Sequence, residues 1–423
     1  MHRFRHRRHT AATIAALGVL ALAVAGCARS GDATDPTGDT VVASPGITDT
    51  TITLGTTAPL SGNAAGVGTC AVDGAAAYFA MRNEEGGFEF GDGKTRTVEF
   101  KKYDDGYDPQ RALANFQQMQ SGDVFGAVMS LGTPTNRAWR EAAIDAEFPQ
   151  VLLQTGDPIF SDREQSPWQL GLLPVYQQEG EAFGELLAAS TEDHKVAVLY
   201  QNDDFGHGYL EGLKSAITGA DNVEIVAELS YEATASEVTA QITELASSGA
   251  DVFFNAMSSL APLMIGALQQ ADAVGWHPSW FVPSVASSPA AFLVPSGVAD
   301  TFPGIYSTAS SMVVGSPAFA ADPEGQVFLD ALAEHTGQTE PPAFPQCLWS
   351  WIGASILEEA FTKMTEPTRE SFMEALRSIS GFDAPFLLEG GIVDTTHDTL
   401  PAMSGLSVQK YNGTGFTIVD AIG

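Results

Sequence analysis

From about residue 51 the chain alternates two hydrophobic rhythms. Ile52, Leu54 and Thr56 recur at every second position over 51–57, which predicts a strand. A Pro59-Leu60-Ser61-Gly62 turn follows, and the wider spacing of Ala75 and Phe79 predicts a helix over 71–83. A second strand is expected over 98–103, ending in Asp104-Asp105-Gly106. Asp108-Pro109 then supplies an N-cap acid and a proline at the first helical position, where the missing N–H costs nothing, so a helix runs to about 121. Apolar runs at 124–130 and 151–153 predict strands, with a polar turn over 131–135 and a helix over 136–146 between them. The rhythm repeats, with strands at 196–200, 223–229, 252–256 and 281–282 and helices at 209–217, 237–247 and 260–273.

Strands separated by helices of this length, with short loops, indicate βαβ units and parallel sheets. Two blocks emerge, about 51–170 and 190–300, each the size of one doubly wound α/β domain. Beyond 302 the pattern changes to a strand over 305–308, helices over 324–335, 348–363 and 368–378, and a hairpin of 407–411 with 415–419 around Asn412-Gly413. Neither block is complete without these pieces. The chain is therefore expected to cross between two lobes several times.

The N-terminus has its own pattern. Residues 1–9 are basic, and 10–26 are apolar, uncharged and too short for a comfortable membrane span. This reads as a secretory signal over 1–26, ending in Val24-Ala25-Gly26-Cys27. Small residues before a cysteine resemble the bacterial lipobox, in which the cysteine becomes the lipidated N-terminus; the alternative is an ordinary signal peptide with an incidental cysteine. Residues 28–50 are rich in Gly, Pro, Asp, Ser and Thr and hold no aromatic residue, so 27–50 is expected to be a flexible tether. Lipidated Cys27 would be the chain's single contact with the membrane, since no later stretch approaches ~18 uncharged apolar residues.

Charge narrows the partners. The chain has 20 Lys and Arg against 52 Asp and Glu. Arg3, Arg5, Arg7 and Arg8 lie in the signal, which leaves 16 bases against 52 acids, or −36, for the rest. Such a surface repels phosphate backbones, so nucleic acid is excluded as a partner. An exported chain lives where disulfides persist, and the two remaining cysteines, Cys70 and Cys347, permit one pairing or a free buried pair.

Enzyme motifs are absent: there is no G-x-S-x-G, H-E-x-x-H, P-loop or G-x-G-x-x-G. His194, His207, His277, His335 and His397 are scattered without ligand spacing, and the acidic turns do not meet the spacing of a calcium loop. No metal and no cofactor is expected. Small polar residues instead collect at the carboxyl ends of the expected strands, where open α/β sheets bind ligands. They are Ser61-Gly62-Asn63, 130–135, Gln154-Thr155-Gly156-Asp157, 202–205, 255–259 and 284–288. Any one of these loops is explained by N-capping alone; six on two repeated blocks point to a site between them.

Ile52–Gly62 with Asn83-Glu84-Glu85-Gly86-Gly87 resembles the first strand, Pro-Leu-Ser-Gly turn and first-helix end of the branched-chain-amino-acid-type solute-binding proteins of ABC transporters. Tyr103-Asp104-Asp105, 130–135, Phe205-Gly206 and Gly249-Ala250-Asp251-Val252 fall in the matching order. The resemblance spans about 50–380. It implies the type I periplasmic binding protein fold: two Rossmann-like doubly wound lobes joined by three hinge crossings, closing on a ligand. Lobe 1 would be 51–170 plus 306–380 and lobe 2 175–302 plus 386–423, with crossings near 169–174, 302–306 and 381–385. The ligand contacts implied are Ser61, Thr133, Thr135, Thr155 and Gly156 from lobe 1, and Phe205, Asn255, Met257 and Ser284 from lobe 2. Trp351 sits where the family often carries an aromatic residue at a helix start, and packing in the core is its other expected role.

The same pattern returns the helix opened by Cys347 to lobe 1, which implies a Cys70–Cys347 disulfide there. One departure concerns Ser284-Val285-Ala286, where amino-acid binders of the family commonly hold an acid for the ligand's ammonium; Asp157, Asp203 or Asp204 would have to substitute. The function implied is an extracytoplasmic, monomeric, lipid-anchored receptor. It would deliver a small organic solute, an amino acid or another carboxylate-bearing compound, to the permease of an ABC importer. A ligand sensor for a membrane signalling partner is the alternative on the same fold, and an exported hydrolase the alternative of another class.

Overall fold

A computed structural model describes residues 41–389 and 391–420. The expected signal segment and Cys27 lie outside the described residues. The end of the expected tether does not hang free. Ser44 N–H donates to Pro367 O, Ile47 is buried, and Ile47 bridges antiparallel to Ile52.

The first lobe is built in the order β1 (Thr51–Ala58), α1 (Ala65–Glu84), β2 (Phe88–Glu89), β3 (Thr95–Asp104), α2 (Pro109–Ser121), β4 (Gly126–Val128), α3 (Thr133–Arg137), α4 (Arg140–Asp145), β5 (Gln150–Leu153) and β6 (Gln169–Gly171). Its six-stranded sheet runs β2-β3-β1-β4-β5-β6, parallel except at β2. The second lobe follows with α5 (Tyr176–Ala188), β7 (His194–Gln201), α6 (Asp204–Ala216), β8 (Val223–Tyr231), α7 (Thr239–Ala246), β9 (Val252–Ala256), α8 (Ala261–Ala273), β10 (Ser279–Phe281), α9 (Val294–Ser296) and β11 (Ile305–Ala309). Its seven-stranded sheet ends in an antiparallel hairpin of β15 (Ser407–Tyr411) and β16 (Phe416–Ile418), in the order β16-β15-β11-β10-β9-β7-β8. Between β11 and β15 in sequence lie α10 (Pro317–Ala321), α11 (Pro323–Thr336), α12 (Gln346–Lys363), α13 (Arg369–Leu376) and a small sheet of β12 (Ser380–Phe382), β13 (Ile392–Asp394) and β14 (Met403–Ser404).

Local chemistry accounts for much of this. Asp108 caps α2, its side chain accepting from Gln110 N–H and Arg111 N–H ahead of Pro109. The central strands β4, β5 and β9 are buried at every residue, as parallel strands covered on both faces must be. Helix α1 packs on α12, and a disulfide joins Cys70 to Cys347 across that contact.

The two α/β lobes are as expected, but two crossings are displaced. Strand β11 belongs to the second sheet, so the chain leaves lobe 2 after Ala309 rather than at 302–306. The third crossing falls at Gly405-Leu406, not at 381–385, because β14 is still tied to the end of the first sheet. Ala402 N–H donates to Gly171 O and Met403 N–H to Leu172 O. Residues 306–309 therefore move to lobe 2, and 386–389 with 391–404 away from it. The first crossing follows Gly171, over 172–175.

Candidate functional site

Both parallel cores share one strand order, β3-β1-β4-β5-β6 in lobe 1 and β8-β7-β9-β10-β11 in lobe 2. In each, the loops after the lobe's first and third parallel strands run off in opposite directions, and the crevice between them is where doubly wound sheets bind ligands. The two crevices face one cavity. Ala64, Val67, Leu131 and Thr133 line it from lobe 1, and Phe205, Ser258 and Leu260 from lobe 2. The cavity is narrow, about 30 Å³ in volume. The lobes are thus closed on each other. Cross-lobe bonds hold them there: Gln346 Nε2 donates to Val285 O at 3.3 Å, Ser288 Oγ donates to Ala343 O, and Arg137 Nε meets Asp204 Oδ2 at 3.1 Å.

Three hydroxyls converge at one wall. Thr133 Oγ1 lies 2.7 Å from Thr155 Oγ1 and 3.2 Å from the Tyr176 hydroxyl, which donates to Thr155 Oγ1 at 3.2 Å. All three residues are buried. Burial pushes the Tyr176 hydroxyl up to about 12, so it stays protonated at neutral pH. Tyr176 opens α5 directly after the first crossing. Its ring stacks on Tyr209 of lobe 2, 4.8 Å between centroids, while its hydroxyl reaches lobe 1. Gly132, just before Thr133, has φ +104°, and a Cβ there would lie 2.5 Å from Thr135 Oγ1 and 2.8 Å from Tyr107 Cε2. Tyr107 itself holds φ +64°, a left-handed conformation uncommon for a bulky residue.

Of the residues expected from sequence, Thr133 and Phe205 line the cavity and Thr155 touches it through Thr133. Gly156 stands behind it, where a Cβ would lie 2.7 Å from the Tyr176 ring. The others are turned to structural work. Exposed Ser61 donates to Asp104 Oδ2 at 2.6 Å, and Thr135 Oγ1 donates to Leu131 O at 2.8 Å. Asn255 Oδ1 accepts from Met257 N–H at 3.0 Å, and both residues are buried beneath the cavity wall, not in it. Trp351 is fully buried between Tyr78 and Phe328, while Trp349, two positions earlier, lines the cavity and donates its Nε1–H to Ser311 Oγ at 2.9 Å.

Among the described residues no acid lines the cavity. Asp157 and Asp204 are both engaged by Arg137, and Asp203 caps α6, accepting from Phe205 N–H and Gly206 N–H. A carboxylate does reach Ser284. It is Glu179, buried on α5, accepting from Ser284 N–H at 2.9 Å, Ser284 Oγ at 2.8 Å, the Tyr209 hydroxyl at 2.8 Å and Thr308 Oγ1. Burial raises its pKa despite these donors. Its acceptor positions are used within lobe 2. Glu179, Tyr176 and Trp349 escaped the sequence reading because α5 did, and because nothing local separates Trp349 from Trp351. Gln346 left no signal at all. Among the described residues no group of three His, Cys, Asp or Glu is placed to hold a metal.

A sequence model of the family described as periplasmic binding protein matches residues 51–414. A Leu/Ile/Val-binding protein homolog 3 of Brucella melitensis is 26 % identical over 214 residues, 48 % of this chain and 53 % of that protein. The match thus spans about half the length of that curated relative. Among solved structures, the substrate-binding protein of a fatty acid ABC transporter from Thermomonospora curvata is similar with TM-score 0.76 and 21 % identity, over 90 % of this chain and 95 % of that one. A solute-binding protein of an ABC transporter from R. palustris, in complex with 4-hydroxybenzoate, is similar with TM-score 0.70 and 18 % identity, over 88 % and 96 %.

Proposed function

The chain belongs to the periplasmic binding protein family, and on that premise we propose that it is a lipid-anchored, extracytoplasmic receptor that captures a small organic carboxylate between its lobes and hands it to an ABC importer. The observation that carries this is the hydroxyl cluster of Thr133, Thr155 and Tyr176 on one wall of an otherwise largely apolar cavity. Thr133 and Tyr176, which line the cavity, can turn their hydroxyl protons toward an incoming oxygen while Thr155 supports them from behind, and hydrogen bonds to a charged acceptor are the strong kind. Val67, Leu131, Phe205, Leu260 and Trp349 then surround the ligand's apolar body. The fatty acid and the 4-hydroxybenzoate named for the two similar structures are both carboxylates, which supports the same reading.

The acidic surface opposes this at long range. Screening limits that repulsion to roughly 8–10 Å, inside which the directed donors decide. Thr133→Val leaves a ligand oxygen one donor short, at about 1–3 kcal/mol, or roughly tenfold to a hundredfold in affinity, and Thr155→Val weakens binding through Thr133 by removing the partner that orients its hydroxyl. Calorimetric titration with a ligand found by thermal-shift screening tests this. Unchanged affinity in both variants would put the ligand elsewhere.

Anchoring is a separate matter. If Cys27 carries a lipid, Cys27→Ala shifts the protein from the membrane fraction to the soluble one. An unchanged distribution on cell fractionation removes the anchor from the proposal.

A further inference from the structure

Two buried acceptors in the cavity wall have no partner. Gln154 and Gln346 both line the cavity, at 4 % and 2 % exposure, and the Oε1 atom of each is buried without a hydrogen bond. Among the described residues these are the two unpartnered buried side-chain atoms whose residues line it. The amide orientations are set by the opposite ends of the side chains. Gln154 Nε2 donates to Ala71 O at 2.9 Å, and Gln346 Nε2 donates to Val285 O at 3.3 Å. Flipping either amide would set one carbonyl oxygen against another. The nitrogens are thus tied into the wall, and the oxygens are what each side chain has left to offer.

A buried acceptor without a partner is costly and uncommon, and in a binding cavity a ligand donor relieves it. Resting on the proposed capture of a carboxylate, we infer that the ligand is a small, mainly apolar monocarboxylate that also carries an uncharged hydrogen-bond donor, a hydroxyl or an amide N–H, received by Gln154 and Gln346. An α-amino acid fits less well. Its ammonium would also donate to these oxygens, but it would be buried in a cavity that no carboxylate among the described residues lines, with Glu179, Asp157 and Asp203 each committed elsewhere. A carboxylate without a donor would satisfy the hydroxyl cluster and leave the two carbonyls stranded.

Gln346 gives this a second aspect. It stands on α12 of lobe 1 and its Nε2 bonds the backbone of lobe 2, so its oxygen takes up this position only when the lobes are closed. The donor would then be recognised on closure.

Matched probes separate the alternatives. The first series is 4-methylpentanoate, 2-hydroxy-4-methylpentanoate and leucine, which share one skeleton and differ in carrying no donor, a hydroxyl or an ammonium. Benzoate and 4-hydroxybenzoate form the second. Calorimetric titration of the whole exported domain is expected to show the hydroxyl member of at least one series binding about tenfold or more tightly than its companions. That preference should shrink to about twofold or less in Gln154→Met or Gln346→Met. Should either variant fail to fold, the comparison on the wild-type protein still decides. Leucine or a donor-free acid binding as tightly as the hydroxyl compound overturns the donor requirement and leaves carboxylate capture standing. A panel in which no member binds overturns both.

Discussion

Asp105 shows how far burial alone changes a side chain. Its carboxyl accepts from Thr57 Oγ1 and Tyr107 N–H, each at 2.8 Å, yet burial outweighs these bonds and pushes its pKa up to about 6. In the unfolded chain the same group ionises near ~3.9. The native state therefore holds this proton more tightly. The stability it contributes is complete below about pH 4 and is lost as pH rises through about 6. Asp105→Asn removes the titration, so between those limits the variant gains on the wild type by on the order of 3 kcal/mol. Urea unfolding at a series of pH values checks this, and parallel profiles would contradict it. Its neighbour Asp104 behaves oppositely. Slight burial is outweighed there by bonds from Ser61 and Arg111, and its pKa falls to about 2. The sequence shows the two acids side by side and gives no means of telling them apart.

At the scale of elements, α5 is instructive. Its sequence, Tyr-Gln-Gln-Glu-Gly-Glu-Ala-Phe-Gly, carries two interior glycines and few apolar residues, which hides the helix. Packing requires those glycines. A Cβ on Gly180 would lie 2.2 Å from Tyr209 O, and one on Gly212 of α6 2.1 Å from Gln177 O, so the two helices meet backbone to backbone. The disulfide ties α1 to α12 in a similar way, but across a sequence separation of 277. In the chain-entropy model a loop of that length contributes up to about 5 kcal/mol. Cys70→Ser with Cys347→Ser should lower the denaturant midpoint accordingly, and non-reducing peptide maps of the wild type should recover the two cysteines linked. Two alkylatable thiols in the native protein would refute the pairing.

For the molecule as a whole, the proposed capture rests on an equilibrium between open and closed lobes. Arg137 spans that interface, bound to buried Asp157 of its own lobe and to half-exposed Asp204 of the other. Asp204→Asn removes the cross-lobe charge while leaving Asp157 paired. An ion pair this exposed contributes about 0.2–1 kcal/mol, so ligand affinity should fall by up to roughly fivefold. Screening makes the effect fade at high salt. Small-angle scattering of the ligand-free variant should show a larger radius of gyration than the wild type at low salt. Equal radii together with equal affinities would show that the contact does not hold the lobes closed.

The strand and helix rhythm, the doubled α/β block and the polar strand ends were written in local order, because each depends on residues a few positions apart. Asp108-Pro109 is a cap whatever it packs against, and 252–256 is a buried strand because every residue in it is apolar or can be paired. Thr133 and Thr155 were legible as strand-end hydroxyls for the same reason. What periodicity cannot say is which surface a buried residue faces. Trp349 and Trp351 share a helix and a degree of burial, yet one lines the cleft and the other the core of lobe 1. Strand β11 joins the second sheet between β10 and a hairpin strand about a hundred residues on, and β14 stays with the end of the first through a hydrogen bond to distant Leu172. Gln346 reaches across to Val285 because two lobes meet there, which is a property of the closed tertiary structure and of no shorter stretch of chain.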